Sequence, residues 1–500
     1  MTLDADTCYR ALGARDRRFD GLFFVGVSTT GVYCRPICTA RTPGRDRCRF
    51  FRSAPEAERA GYRACLVCRP ELAPGGAPLE AVTRLVAGAL ARIQAGALDE
   101  GSVDALAAEL GVTGRHLRRA FEAELGVTPV GVAQSRRLAT AKQLLHDTAL
   151  GLGDVALASG FGSVRRFNAA FRERFGRPPS AIRRAKDGPE TGGALRLRLD
   201  YRPPLEWERL LAFLGTRGIA GVEQVAENAY VRTVRVGAAV GIVSVTPARG
   251  APWLLAEASV SLAPALATVV ARLRALLDLD ARPDAVAAHL GRDPRLRDGI
   301  RRRPGLRLPG AFDPFETAVR AVLGQQVSVA AAATLAGRLA RRFGAALPGA
   351  PSPALAVLFP SAEALATTTA EAIAEVGIPR ARAETVLGLA RAVADGAIAL
   401  APGTDPDEVA RRLDALPGIG PWTAQYIAMR ALHHPDAFPA DDLGVRRALR
   451  ARGAAAERRA ERWRPWRAYA VMHLWESLGA LPGASAPAKD PTRALRSGTR

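Results

Sequence analysis

The chain has six cysteines in 500 residues, and all of them (Cys8, Cys34, Cys38, Cys48, Cys65 and Cys68) lie in its first seventh. Four form two close pairs, C-R-P-I-C at Cys34 and Cys38 and C-L-V-C at Cys65 and Cys68, separated by a segment long enough to fold back. Thiolates at this spacing suit a tetrahedral Zn²⁺ site with metal–sulfur distances of ~2.3 Å. In a reducing compartment such a cluster points to metal rather than to disulfides. Two uses stay open here: a knot that only holds a small module together, or a metal-activated nucleophile, since zinc keeps a thiol deprotonated and the thiolate is the reactive form. Cys8 and Cys48 have no partner of this kind. The confinement also removes thiol chemistry and iron–sulfur clusters from everything after Cys68.

Charge narrows the partners. Lys plus Arg number 70 against 49 Asp plus Glu, a net charge of +21, which favours an anionic polymer such as double-stranded DNA. Nearly all of the excess is arginine, for lysine occurs only at Lys142, Lys186 and Lys489, so amine nucleophiles are scarce. The N-terminal MTLDADTCYR has no basic segment followed by an apolar run, and no later stretch is a charge-free membrane span. A cytoplasmic, nucleoid-associated protein without a membrane partner is expected, and a monomer.

Punctuation divides the chain. PELAPGGAP (Pro70–Pro78) and AKDGPETGG (Ala185–Gly193) break the helical patterns on either side and read as linkers. Between them lie two similar segments, SVDALAAELGVTGRHLRRAFEAELGVTP from Ser102 and GLGDVALASGFGSVRRFNAAFRERFGRPP from Gly151. Each predicts a short helix, a glycine turn and a second helix with a basic outer face. Arg115, Arg118 and Arg119 mark that face in the first, and Ser163, Arg165, Arg166 and Asn168 in the second. Two such helices suit successive major grooves. Phe161, Phe167 and Phe171 read as core. Beyond the second linker, alternation at Leu195–Tyr201, Tyr230–Val236 and Gly241–Val245, with helices at Leu205–Leu214 and Ala265–Leu277, predicts an α+β unit without chemistry of its own.

The last segment is helical from Phe312, with a break at Gly324–Val327, and it reaches the stretch LPGIGPWTAQYIAMRALHHPDAFPADDL, Leu416–Leu443. Gly418 and Gly420 permit close backbone approach to a bulky anion, and Pro421 suits the first position of a helix. Free amides at such a helix start can grip a phosphate without reading sequence. Trp422 and Tyr426 are spaced i, i+4, which fits a binding face and equally a core face. Asp441 and Asp442 precede a further helix, where an aspartate often serves only as an N-cap worth ~1 kcal/mol.

These motifs carry resemblances. FVGVSTTGVYCRPIC and FFRSAPEAERAGYRACLVCRP resemble the zinc module of the Ada adaptive-response regulators, and the FGSVRRFNAAFRERFGRPP ending resembles AraC-type transcription activators. The order helix, Gly-Gln-Gln break, LPGIG hairpin, Trp-bearing helix, FPADDL loop and ERWRPWRAYAVMHLW (Glu461–Trp475) is similar to the helix-hairpin-helix DNA glycosylases, in the 3-methyladenine DNA glycosylase II branch. With the α+β unit before it, that match covers the C-terminal half. The Ada resemblance implies Zn²⁺ on Cys34, Cys38, Cys65 and Cys68, with Cys34 accepting a methyl group irreversibly from a DNA methylphosphotriester. Alkylation would change the formal charge of the centre from −2 to −1 and ease repulsion from the DNA backbone. The glycosylase resemblance implies Asp442 as the catalytic carboxylate, preferred over Asp441 because L-G-V-R-R follows at the family's spacing. It implies Trp422, Tyr426 and Trp475 in the base pocket, and Gln326 in the gap left by a flipped nucleotide. In strand-cutting members a lysine stands where this chain has Trp422, so hydrolysis by water without cofactor is expected.

The expected fold class is therefore multidomain and mainly α. It comprises a small zinc-bound α/β module (1–75), two helix-turn-helix units (79–186), an α+β sheet domain (194–303), an all-α helix-hairpin-helix core (304–482) and a disordered tail (483–500). The expected function joins excision of alkylated purines to a methyl-sensing activator that works with RNA polymerase on alkylated and operator DNA. The alternative is an activator whose C-terminal half binds DNA or a ligand without catalysis; it has less need of an aspartate beside pocket aromatics.

Overall fold

The computed structural model describes residues 4–75, 83–183, 194–401 and 403–479. The expected tail and the segment Ala185–Gly193 lie outside them. The described residues are mainly helical, with two small sheets. Among the described residues no helix is long and apolar enough to cross a membrane.

In the N-terminal module, strands β1 (Phe24–Val27), β2 (Val32–Cys34), β3 (Cys48–Phe51) and β4 (Arg63–Ala64) form one sheet in the order β3-β1-β2-β4. The tight β1–β2 turn is closed by Gly31 in the left-handed region (φ 63), where glycine carries no steric penalty. β2 and β4 pair in parallel, Tyr33 beside Ala64. This pairing brings the ends of two distant strands together, so Cys34 finishes one strand as Cys65 follows the other.

Five helices then build two helix-turn-helix units: α1 (Val103–Glu109), α2 (Gly114–Leu125), α3 (Pro129–Asp147), α4 (Leu152–Ala158) and α5 (Val164–Phe175). Four of the starts are capped. Ser102, Thr113, Thr128 and Ser163 accept from the amides of Ala105, His116, Gly131 and Arg166, each worth ~1 kcal/mol. The turns hold Gly111 (φ 71) and Gly160 (φ 85) in left-handed conformation, and Phe161, Phe167 and Phe171 are core, as expected.

The second sheet is antiparallel throughout, ordered β5-β9-β8-β7-β6 from β5 (Ala194–Asp200), β6 (Glu223–Ala226), β7 (Ala229–Val236), β8 (Ala239–Pro247) and β9 (Trp253–Ser259). β5, β7 and β8 follow the alternation seen in the sequence. β6 and β9 do not announce themselves: β6 is a short polar edge strand, and β9 (WLLAEAS) is rich in helix-forming residues that pairing on both sides overrides. The C-terminal half is helical and includes α6 (Pro314–Leu323), α7 (Val329–Phe343), α8 (Arg380–Ala394), α9 (Pro421–Arg430), α10 (Leu443–Leu449) and α11 (Arg467–Ser477).

One apolar core runs continuously from Leu138 on α3 through the sheet to Trp475 on α11. The second helix-turn-helix unit thus shares its core with the sheet domain, although the intervening sequence reads as a flexible boundary; the Gln143 amide also donates to the Arg198 carbonyl across this junction (3.0 Å). The first unit has its own core. The described part of the other expected linker is equally firm. Pro70 and Leu72 are buried, and the buried Arg202 guanidinium donates to the carbonyls of Pro74 (3.3 Å) and Gly75 (2.7 Å). Glycine and proline at 70–75 serve close packing here rather than freedom.

Candidate functional site

The sulfurs of Cys34, Cys38, Cys65 and Cys68 all lie within 4.8 Å of one another. Four ligands at ~2.3 Å from a tetrahedral zinc would stand about 3.8 Å apart, so the set fits the ion with little adjustment. Backbone amides already point at sulfur, Arg35 N–H to Cys68 (3.3 Å) and Val67 N–H to Cys65 (3.4 Å). Hydrogen bonds among the thiols drive Cys65 far down and Cys34 and Cys68 up, and lower Cys38 to about 7. Cys38 and Cys65 are buried, whereas Cys34 and Cys68 keep some exposure. Cys8 and Cys48 lie apart in a small apolar cluster, where burial pushes the Cys8 thiol up to about 11.

On the helix-turn-helix units, Arg115, Arg119, Arg165 and Arg166 are exposed along α2 and α5. Arg118 is exposed too, with its guanidinium 3.4 Å from Asp104. Ser163 spends its oxygen as the α5 N-cap, and Asn168 is half-buried.

The C-terminal residues singled out from the sequence converge. Asp442 is the N-cap of α10, and its Oδ1 accepts from Gly444 N–H (2.9 Å), Val445 N–H (3.1 Å) and the Trp475 indole (2.8 Å). Its Oδ2 accepts the Trp422 indole N–H at 3.3 Å. Asp441 points elsewhere, taking the Gly453 amide (3.1 Å) at the start of the next helix. Trp422 and Tyr426 stack with ring centroids 5.4 Å apart, and Tyr426 lies 6.5 Å from Trp475. The carboxylate and three aromatic rings therefore form one cluster built from α9, α10 and α11.

The hairpin explains its glycines unequally. Gly418 is left-handed (φ 84), and a Cβ there would fall 2.0 Å from Thr385 Oγ1 on α8. Gly420 is extended (φ −100), and a Cβ would meet open space. Its lack of a side chain leaves open space at the start of α9. Gln326, at the break between α6 and α7, is exposed and left-handed (φ 55), flanked by exposed Val327 and Val329.

Several residues beside the cluster were not legible in the sequence. Arg430 donates to the Tyr426 hydroxyl (3.2 Å), and Arg217 of the sheet domain and Arg320 of α6 stand close to it. Burial would raise the Tyr426 phenol, but Arg430, Arg217 and Arg320 together hold it below its ordinary value. Burial, with Arg430 and Arg320 alongside, lowers Arg217 to about 10. The sheet domain, expected to carry no chemistry, thus supplies one of the cations at the aromatic cluster. Gly444 also bears on the cluster: a Cβ there would sit 2.6 Å from Trp475 Cδ1. Arg217, Arg320 and Gly444 reach the cluster from distant segments, and Arg430 is one turn from Tyr426 on α9.

Four family models match the chain in succession. They are the "Metal binding domain of Ada" over residues 7–71, a "Helix-turn-helix domain" over 106–185, the "AlkA N-terminal domain" over 196–313 and the "HhH-GPD superfamily base excision DNA repair protein" over 319–467. A Mycobacterium tuberculosis protein named "Probable bifunctional transcriptional activator/DNA repair enzyme AlkA" is 43% identical over 485 residues, covering 95% of this chain and 97% of that one. DNA-3-methyladenine glycosylase 2 of Escherichia coli is 38% identical over 285 residues, 57% of this chain and 98% of its own length. The "Bifunctional transcriptional activator/DNA repair enzyme Ada" of Escherichia coli is 34% identical over 135 residues, 27% of this chain and 37% of that protein.

Proposed function

The chain belongs to the AlkA-type bifunctional transcriptional activators and DNA repair enzymes, and we propose that Asp442 carries its hydrolytic excision of 3-methyladenine-type purines while Cys34 takes up methyl groups from DNA phosphotriesters. The observation that carries the first half is the convergence of both indole N–H groups on the Asp442 carboxylate beside the aromatic rings. The hairpin amides of α9 hold the DNA backbone and Gln326 fills the gap as the damaged nucleotide leaves the stack. The extruded base meets the rings of Trp422, Tyr426 and Trp475, whose electron-rich faces attract a cationic purine by ~0.5–2 kcal/mol each. An alkylated purine already carries its positive charge and departs without a general acid.

As the N-glycosidic bond lengthens, positive charge grows on the sugar. Asp442 Oδ2, engaged by a single longer hydrogen bond, is the oxygen free to face that charge and to orient water. Oδ1, with three donors, fixes the direction of the carboxylate. Asp441 serves the neighbouring helix. No lysine occurs between Leu306 and Leu478, so the site lacks the amine a strand-cutting member would use, and the product is an abasic site in an intact strand.

In the N-terminal module, bound zinc would supply a deprotonated thiolate at neutral pH. Cys34 is the acceptor by its motif position and its partial exposure, while Cys38 and Cys65 are buried. The exposed arginines of α2 and α5 hold operator DNA, with RNA polymerase as the partner of the activating function. The deciding measurement is release of 3-methyladenine from methylated duplex DNA. Wild type should release it, Asp442→Asn should fall by at least 100-fold, and Asp441→Asn should stay within a few-fold. Absence of release by the wild type, or strand scission without heat or alkali, would overturn the hydrolase assignment. Loss of methyl transfer in Cys34→Ala, with zinc content measured beside it, tests the other half.

A further inference from the structure

The break between α6 and α7 places two glutamines side by side, and only the second has a place in the reading above. Gln326 projects into solvent from a left-handed backbone, a conformation that a non-glycine residue holds only when its surroundings impose it. Its neighbour Gln325 is tied down by three hydrogen bonds. The Gln325 side-chain amide donates to the Gly418 carbonyl (2.9 Å) and to Thr423 Oγ1 (2.9 Å), joining this loop to the hairpin and to the first turn of α9. Its own backbone carbonyl accepts from the Arg382 guanidinium of α8 (2.6 Å). Thr385, one turn further along α8, is the residue against which Gly418 packs. Thr423 and Thr385 are both buried. Three segments far apart in sequence thus close on one another, and Gln325 makes the contacts that complete the triangle.

We propose that Gln325, backed by Arg382, is a positioning residue that fixes the distance between the gap-filling Gln326 and the phosphate-gripping hairpin. The proposal rests on the excision reading above and extends it. Opening a duplex at one nucleotide requires two things at a set separation: a hold on the backbone and a side chain that occupies the vacated space. A hold that could shift relative to the insert would lose part of the binding energy that drives extrusion, because misplacement of about 1 Å is enough to cost catalysis heavily. The Gln325 side-chain amide is already committed to Gly418 and Thr423. Its effect should be greatest where extrusion has to break pairing as well as stacking.

That difference makes the test specific. Gln325→Met keeps length and loses both donors, and Arg382→Met removes the backbone support. Single-turnover release of 3-methyladenine would be measured on two DNAs, one with the lesion paired in an ordinary duplex and one with the lesion opposite a one-nucleotide gap, where no partner base has to be displaced. Gln325→Met should be slowed about 10-fold or more on the paired lesion and stay within about two-fold of wild type on the gapped one. Arg382→Met should shift in the same direction. Equal slowing on both DNAs would mean a structural role only, and unchanged rates on both would mean no role; either result overturns the proposal. A thermal midpoint within a few degrees of wild type checks that the fold is kept. Failure of the wild type to release base from either DNA would instead strike at the excision reading itself.

Discussion

An aspartate at the start of a helix is ambiguous on chemical grounds, because the same carboxylate oxygens that could face a cationic sugar also cap amides. Asp442 does the capping and is held by two indoles as well, so the two uses are not exclusive. This separates stability from activity. Asparagine caps as well as aspartate does but its NH2 cannot accept the Trp422 indole, so Asp442→Asn should cost about 1 kcal/mol of folding stability while abolishing excision, as urea titration beside the release assay will report. Gly444 offers the converse probe. With only 2.6 Å available between a Cβ and Trp475 Cδ1, Gly444→Ala must displace the indole that orders Asp442. Excision should fall at least 10-fold with the zinc module and DNA affinity unaffected; a wild-type rate would show that the Trp475 hydrogen bond is dispensable. Asp442 and the aromatics stood out because residue type and spacing carry their chemistry. Gly444 could not, for it is one of 48 glycines, and only the ring packed against it distinguishes it.

Helix α11 joins the site to the core, and every residue from Ala468 to Trp475 is buried. His473 lies among them, its Nδ1 without a hydrogen-bond partner, and burial lowers it to about 4. The unfolded chain takes a proton on this histidine near its ordinary value of 6.5, while the folded chain resists until about 4. The contribution of His473 to stability is therefore complete above pH 6.5 and is lost as the pH falls towards 4, by about 3 kcal/mol in all. Thermal midpoints measured across that window should drop in the wild type and drop distinctly less in His473→Leu; parallel curves would show that another group governs the decline. At the scale of elements, the sequence is most legible where periodicity and caps agree, as in α2, α5 and the α6–α7 break. It is least legible at β6 and β9, where pairing partners rather than local preference decide the conformation. The same holds for residues 70–75, whose proline and glycine content suggests a free linker until Arg202 is seen holding their carbonyls.

The same interior logic operates between domains. Arg35, inside the C-R-P-I-C loop, is buried with its guanidinium between Asp20 of its own module and Asp200 at the end of β5, the latter at 2.9 Å. Burial works against the charge on Arg35, but Asp20 and Asp200 together raise its pKa. Buried Lys142 of α3 likewise donates to the Cys65 carbonyl (3.1 Å) and to Glu71 (2.8 Å). The metal-binding loops are thus also the loops that hold the module to α3 of the helix-turn-helix region and to the second sheet. Removing one member of a buried ion pair leaves its partner charged and unpaired, at a cost of about 3–5 kcal/mol. Arg35→Met should lose stability on that scale, and hydrogen exchange should quicken in β5 as well as around Cys34. Chelation of zinc from the wild type should do the same more gently, since residues on both sides of Arg35 lose their anchor. If exchange in β5 is unmoved by chelation while the cysteine loops open, the module and the glycosylase share a surface without sharing a response.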